Sequence, residues 1–395
     1  MPADQHHVWG PVLHLCSDYA NQNIYTQLIN HLRSLGVGQR LFAAVRSEAE
    51  AGKQPPDEPP ALLFDVRNML RRRHRLLFRS KVRLVSEAVE GRGWSRECRL
   101  IHAHFLYSDG AVAWRLAKRH RVPYVVAVRN TDLFVFGRYR PDLWPLAKRI
   151  LADAAAIVFL SPAYREMLLR RLPSHLRRSV EPRTTLIPSG VGASWMAHPP
   201  PSPIRTNEVR VIYVGNFTRN KNVATIIRAV ETLRQRRPAR LTLIGGGGDG
   251  ESMIQSMLAD APFITRHPPI HDPDALRQIV RGHDVFVMPS FKETFGVVYL
   301  EALSQGLPII HSRGQGVAGL IQDQDISEEV DPLDVCGLAE SIERLFDRGP
   351  GLAGRCVSES GRFGWVRIAE TYARLYRDVV SGRTPERSPW ESGEA

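Results

Sequence analysis

Short β-branched runs alternate with amphipathic stretches along most of the 395-residue chain. The runs read as strands buried on both faces, and the stretches between them carry a helical period. Together they argue an α/β class with parallel sheets. PVLHLCS at 11–17 predicts a first strand, NIYTQLINHLRSLG at 23–36 a helix stopped by Gly36, and LFAAV at 41–45 the next strand. RLIHAHF (99–105), PYVVAV (123–128) and AAIVFLS (155–161) predict further strands with helices between them. A second series starts at VRVIYVG (209–215). It continues through a helix at 223–235, the strand and glycine loop ARLTLIGGG (239–247) and a helix at 273–282. The strand DVFVMPS (284–290), a helix at 296–306 and the strand LPIIHS (307–312) follow, with terminal helices at 337–347 and 364–380. The proline-rich HPPPSPIRTNE (198–208) reads as the linker between the two series, EAGKQPPDEPPA (50–61) as a loop, and the tail 381–395 as disordered. The expected domains are residues 1–200 and 201–363. Two Rossmann-like domains facing each other would leave a cleft, the usual place for a ligand.

Apolar content of 43% is ordinary for a globular protein. No apolar run approaches the ~18 residues of a membrane span. The start MPADQHHVWG has neither the basic nor the apolar region of a secretory signal. Four cysteines without metal spacing fit reduced thiols in a cytoplasm and argue against a zinc site. Charge is uneven: residues 1–200 hold 30 Lys+Arg and 16 Asp+Glu, net +14, whereas the remainder holds 23 and 25, net −2. The N-terminal half therefore suits an anionic partner. Its densest part, RNMLRRRHRLLFRSKVR (67–83), has eight basic residues and no acid. As a helix it would either lie on an anionic membrane surface or form a solvated basic face, and sequence leaves both open.

The stretch DVFVMPSFKETFGVVYLEALSQG carries the most chemistry. A buried strand ends near Pro289, where open parallel sheets bind ligands, and Gly296 lets backbone approach a ligand closely. The helix that follows points free N–H groups outward, an anion site suited to a diphosphate. Glu293 precedes this helix and Glu301 lies about one turn inside it, among largely apolar neighbours. Two carboxylates beside an anion site make sense as acceptors for ligand hydroxyls, a ribose on one side and a sugar on the other.

KETFGVVYLEALSQGLPII resembles the E-x(7)-E segment of the retaining glycosyltransferases of glycosyltransferase family 4, which have the GT-B fold. VIYVGNFTRNKNVATIIRAV, LTLIGGGGDGESM, IHAHFLYSDGAVAWRLAKRHRVPYVVAV, TTLIPSGV and GWVRIAETYARLYRDV resemble further family segments in the expected order. The resemblance implies a helix over 364–380 crossing back to the N-terminal domain. It implies that Glu301 binds the ribose and Glu293 the transferred sugar, while backbone N–H groups of Phe295, Gly296 and Val297 hold the diphosphate and Thr294 belongs to the donor-binding set. Lys221 falls where the family neutralises the leaving diphosphate, and Gly245, Gly246 and His267 would line the nucleotide. No metal or other cofactor is implied. The donor would be a UDP- or GDP-sugar, and the acceptor a glycan or lipid-linked molecule bound by the basic half.

The sequence also departs from the family. Asn216 stands where an arginine is common, with Arg219 as the nearby cation. CSDYANQN replaces a Gly-Gly turn, so Asp18, Asn21 and Asn23 line the acceptor side. VRNTDL replaces a histidine segment, placing Arg129 and Asp132 in the catalytic set, with a salt bridge between them as the alternative. His102 and His104 share one strand face without a third ligand in view, so His104 reads as acceptor-side lining or core. The expected activity is a cytoplasmic, metal-independent hexosyl transfer in cell-surface polysaccharide or glycolipid synthesis, at the inner face of the membrane if the basic run docks there. The alternatives are a nucleotide-sugar epimerase or hydrolase of the same fold, and a basic nucleic-acid-binding protein. The last is disfavoured because the basic run holds one aromatic, Phe78; no nucleic-acid partner is expected.

Overall fold

A computed structural model describes residues 10–52, 62–198, 200, 206–259 and 261–392. The described residues fall into two compact units. The N-terminal unit comprises the chain to Leu160, Tyr164–Pro188 and the segment from Trp365 onward; the other comprises Ser161–Ala163 and Ser189–Gly364.

The N-terminal unit is built on a seven-stranded parallel sheet, β1 (Val12–Leu15), β2 (Gln39–Val45), β3 (Leu62–Asn68), β4 (Leu100–Ala103), β5 (Tyr124–Val128), β6 (Ala156–Phe159) and β7 (Thr184–Leu186), in the order 3-2-1-4-5-6-7. The central strands are buried on both faces, as an all-parallel sheet covered by helices requires. Helix α1 (Asn23–Ser34) follows β1 and is closed by Gly36 at φ +76°. Helices α2 (Phe78–Glu90), α3 (Ser108–His120) and α4 (Trp144–Asp153) come next in the chain.

The second unit has a six-stranded parallel sheet, β8 (Val209–Val214), β9 (Ala239–Ile244), β10 (Ile264–His267), β11 (Val285–Met288), β12 (Ile309–Ser312) and β13 (Ser327–Val330), ordered 10-9-8-11-12-13. Sequence order reverses between β8 and β11, which makes their carboxyl ends a switch point. Helix α5 (Val223–Arg234) follows β8 and α6 (Val297–Ser304) follows β11. Helix α7 (Trp365–Val380) belongs by its contacts to the N-terminal unit, where it packs on α1.

Two expectations are corrected. The basic run 67–83 is not one helix: Arg67 and Asn68 pair with Ala44 and Val45 as the end of β3, Arg72–Arg75 form a 3-10 turn, and α2 starts only at Phe78. Pairing with β2 from Gln39 to Val45 sets the strand, and it carries Asp65 into a buried position. Nor are residues 381–392 disordered. Trp390 is buried, and Glu391 pairs with Arg165 and accepts from the Thr185 hydroxyl at 3.4 Å. Residues 53–61 of the proline-rich loop, 199 and 201–205 of the linker and 393–395 of the tail lie outside the described residues. Among those described, no helix is long and apolar enough to cross a membrane.

Candidate active site

The strands of the second unit end on adjoining loops that are bonded to one another. Gly215 donates its N–H to the Ile244 carbonyl at 2.9 Å, and Gly245 to the His267 carbonyl at 3.0 Å. Gly245 has φ +135°, and a Cβ there would stand 2.0 Å from the Gly215 carbonyl oxygen, so only glycine permits the approach. Gly246 follows, beside the 2.6 Å ion pair of Arg266 with Glu251. His267 is half-buried at the end of β10. Asn216 and Arg219 are exposed on the loop after β8, and no acid pairs with the Arg219 guanidinium among the described residues.

That loop is stitched to the one after β11. Phe291 N–H donates to the Asn220 carbonyl at 2.9 Å, and the Asn220 amide to the Lys292 carbonyl at 2.8 Å. Asn222, at φ +58°, donates its side-chain amide to the carbonyls of Pro289 and Pro332 at 3.1 and 2.6 Å. Lys221, between these anchors, brings Nζ to 2.5 Å from Glu293 Oε2 and 3.7 Å from Met288 Sδ. The other Glu293 oxygen accepts from Thr294 N–H at 3.1 Å, and Glu293 itself is 9% exposed. The pair is thus held largely out of water, where its attraction is stronger than on an open surface.

Gly296 then turns the chain into α6 at φ +79°, with the Tyr299 ring packed so closely that a Cβ would fall 2.5 Å from it. Tyr299 is fixed by donating its hydroxyl to the Met288 carbonyl at 2.6 Å. Among the described residues, the backbone N–H groups of Phe295, Gly296 and Val297 have no acceptor, as at any open helix N-terminus. Glu301 lies one turn further. Helical side chains lean toward the N-terminus, so its carboxylate covers the turn that begins at Val297. The residue keeps partial exposure, its carboxylate has no donor among the described residues, and burial pushes it up to about 7.

In the N-terminal unit, β1 and β4 set His14 opposite His102. His14 Nδ1 lies 3.1 Å from His104 Nε2, His102 Nδ1 lies 2.6 Å from the Tyr376 hydroxyl, and the His102 and His104 rings stack at 4.0 Å. All three are fully buried, and burial holds them well below the ordinary histidine range. The third histidine is therefore present after all, ninety residues upstream on the neighbouring strand, and one nitrogen from each ring lies within 4.8 Å of the others. The expected acceptor-side place of His104 is corrected: its neutral ring fills the core against Tyr25, at 5.2 Å.

Asp132 is corrected as well. It is 1% exposed, and its carboxylate accepts from the N–H groups of Leu106, Tyr107 and Arg129 at 3.1, 3.2 and 2.9 Å. Rather than pairing with Asp132, the Arg129 guanidinium donates to the His104 carbonyl at 3.3 Å and lies over the Tyr25 ring. Asp132 organises the loop after β4. Asp132→Asn is expected to lower stability by about 2–4 kcal/mol, since an amide cannot accept from all three buried donors. A denaturant titration checks this, and an unchanged midpoint would remove Asp132 from the role. On the loop after β1, Asp18 accepts from Asn21 and Gln22 at 3.0 and 2.6 Å, and Asn21 and Asn23 are exposed.

Two family profiles match the chain: "Glycosyltransferase Family 4" over residues 22–194 and "Glycosyl transferases group 1" over residues 208–348. The chain belongs to glycosyltransferase family 4. It is 26% identical over 394 residues to a D-inositol 3-phosphate glycosyltransferase of Arthrobacter sp. (strain FB24), covering 92% of this chain and 91% of that relative. Its fold is that of GT-B enzymes. A sucrose-phosphate synthase from Thermosynechococcus elongatus superposes with a TM-score of 0.74 at 21% identity, over 95% of this chain and all of that one. A second similar structure, described as trehalose-6-phosphate from E. coli bound with UDP-2-fluoro glucose, has a TM-score of 0.70 at 13% identity, over 94% and 99% of the two chains.

Sequence reasoning missed three features of this glycosyltransferase. Asn222 was hidden because its task needs a left-handed backbone that nothing but its type hints at. Asp109, which accepts from Ser17 N–H at 3.1 Å, joins α3 to the loop after β1. Lys81 reaches the neighbouring Ser108 hydroxyl at 2.9 Å, and burial pushes Asp109 up while the lysine charge pulls it back.

Proposed function

We propose that the protein is a retaining, metal-independent transferase that moves a sugar from a UDP- or GDP-linked donor to a glycan or lipid-linked acceptor, in cell-surface polysaccharide or glycolipid synthesis. Glu301 carries this reading. A carboxylate with no donor among the described residues, one turn inside a helix whose leading N–H groups are open, fits an anionic ligand flanked by hydroxyls, as a nucleoside diphosphate is. The ribose hydroxyls would donate to Glu301, and the diphosphate would sit on the N–H groups of Phe295, Gly296 and Val297. The bound UDP-sugar analogue described for the E. coli neighbour supports the donor class.

Chemistry follows from where charge develops. As the bond from the sugar's anomeric carbon to the donor phosphate breaks, negative charge grows on the diphosphate, and Lys221 with the helix N-terminus stabilises it. An acceptor hydroxyl attacks from the same face, forming the new glycosidic bond and passing its proton to a phosphate oxygen. Glu293 orients Lys221 and meets the sugar. Arg219 supplies a second cation, and Asn216 a neutral hydrogen bond. Acceptor recognition falls to the loop after β1, through Asp18, Asn21 and Asn23, with Arg129 behind it.

A thermal-shift panel of nucleotide sugars tests the donor assignment. At a hundredfold excess over Kd, the matching donor is expected to raise the melting transition by roughly 5 °C. No shift with any UDP- or GDP-sugar would overturn it. For retention, the anomer released in slow donor hydrolysis, read by NMR, should keep the donor's configuration; an inverted product would overturn the mechanism.

A further inference from the structure

A half-open groove of about 870 Å³ in the N-terminal unit runs between the start of α2, α3 and the start of α4. At its mouth Leu76 and Leu77 are 80% and 55% exposed, two adjacent aliphatic side chains left in water. Its floor is apolar, with Phe78, Trp114 and Leu146 among the lining residues. Its rim carries Arg79, Arg115 and Arg149, all exposed and without an acidic partner among the described residues; the acid on the wall, Asp142, is already bonded by Arg140 at 2.8 Å. Three further exposed arginines, Arg72, Arg73 and Arg75, stand on the turn just before the two leucines.

We infer that this groove binds an anionic phospholipid of a bilayer, with acyl chain against the leucines and Trp114 and phosphate on the arginine rim. Charge complementarity excludes a cationic or neutral partner as the best fit: a cluster of unpaired guanidinium groups around a hydrophobic slot matches a molecule anionic at one end and hydrocarbon at the other. A nucleic acid would want several exposed aromatic faces for stacking, whereas of the two aromatic residues lining the groove Phe78 is buried and only Trp114 is part-exposed. Leucines that insert into hydrocarbon serve a membrane and not a base stack. The inference concerns the protein's place rather than its chemistry, so it stands or falls independently of the transferase reading.

Sedimentation with phosphatidylcholine vesicles, with and without phosphatidylglycerol, tests it. Binding is expected only with the anionic lipid, weakening as salt rises. Leu76→Asp with Leu77→Asp should lower partitioning at least about tenfold, with an unchanged melting temperature because both positions are exposed. Phosphatidylcholine brominated on its acyl chains, mixed into the anionic vesicles, should quench the fluorescence of Trp114, and the Trp114→Phe protein should show correspondingly less quenching. Equal binding to neutral vesicles, or full binding by the double variant, would overturn the proposal. So would quenching that ignores Trp114→Phe. RNA binding that survives the double substitution, with no vesicle binding, would assign the arginines to a nucleic acid instead.

Discussion

Lys221→Ala is expected to lower kcat by about 10²–10³, because the ammonium acts most strongly on charge that appears only as the donor bond breaks. The same substitution strips Glu293 of its 2.5 Å partner at a site where the carboxylate is 9% exposed. A stability loss of about 1–3 kcal/mol should accompany the fall in rate, less than for a fully buried pair because the lysine side chain is 25% exposed. The two effects separate in a double variant. Lys221→Ala with Glu293→Gln also removes the carboxylate charge that the ammonium balanced, so its melting temperature should return most of the way while kcat stays low. Single-turnover kinetics and a thermal melt on the two variants decide the matter. A double variant that regains activity would show that Lys221 matters through folding alone. A single variant that keeps its kcat would remove it from the leaving-group role.

The parts of this site that the sequence announced are those fixed by local chemistry. Gly296 must be glycine because the backbone turns at positive φ against Tyr299, and the apolar run before it can only be a buried strand, so the helix tip was readable from one segment. Glu301 was readable because a carboxylate among Val297, Val298 and Leu300 breaks the helix's own apolar pattern. The parts that stayed hidden depend on partners far away in the chain. Nothing near His102 and His104 points to His14, which reaches them through the pairing of β1 with β4. Asp132 looked catalytic because two of its three N–H donors, Leu106 and Tyr107, lie on a loop about twenty-five residues earlier, and a contact across that distance leaves no periodic trace. The basic run misled for the opposite reason. Its charge density is conspicuous, yet the boundary between β3 and the turn after it is set by pairing with β2, which composition does not record.

Glu301→Gln should make the donor-free protein more stable and a poorer enzyme. Burial raises the Glu301 carboxyl from its ordinary 4.5 to about 7, with no donor among the described residues to offset the lost hydration. A carboxyl whose folded pKa is raised favours the folded state when protonated; that advantage is complete below the unfolded value and is lost as pH climbs through about 7. Above pH 7 the native protein therefore holds a charge it would rather expose, a penalty of about 1–3 kcal/mol once partial exposure is allowed for. The neutral amide removes it, so Glu301→Gln should gain about that much stability at pH 8 and little at pH 5. Donor affinity should move the other way. A carboxylate accepting from two ribose hydroxyls makes charge-assisted bonds that an amide with a single acceptor oxygen cannot match, so Kd should rise about 10–100-fold. Wild-type affinity should also improve from pH 6 to pH 8 as the carboxyl ionises. Denaturant titrations at two pH values and calorimetric donor binding read the two halves separately. If the variant gains nothing at pH 8, Glu301 has a partner in the free protein. If donor affinity is indifferent to the substitution, its carboxylate does not hold the ribose, whatever the stability shows.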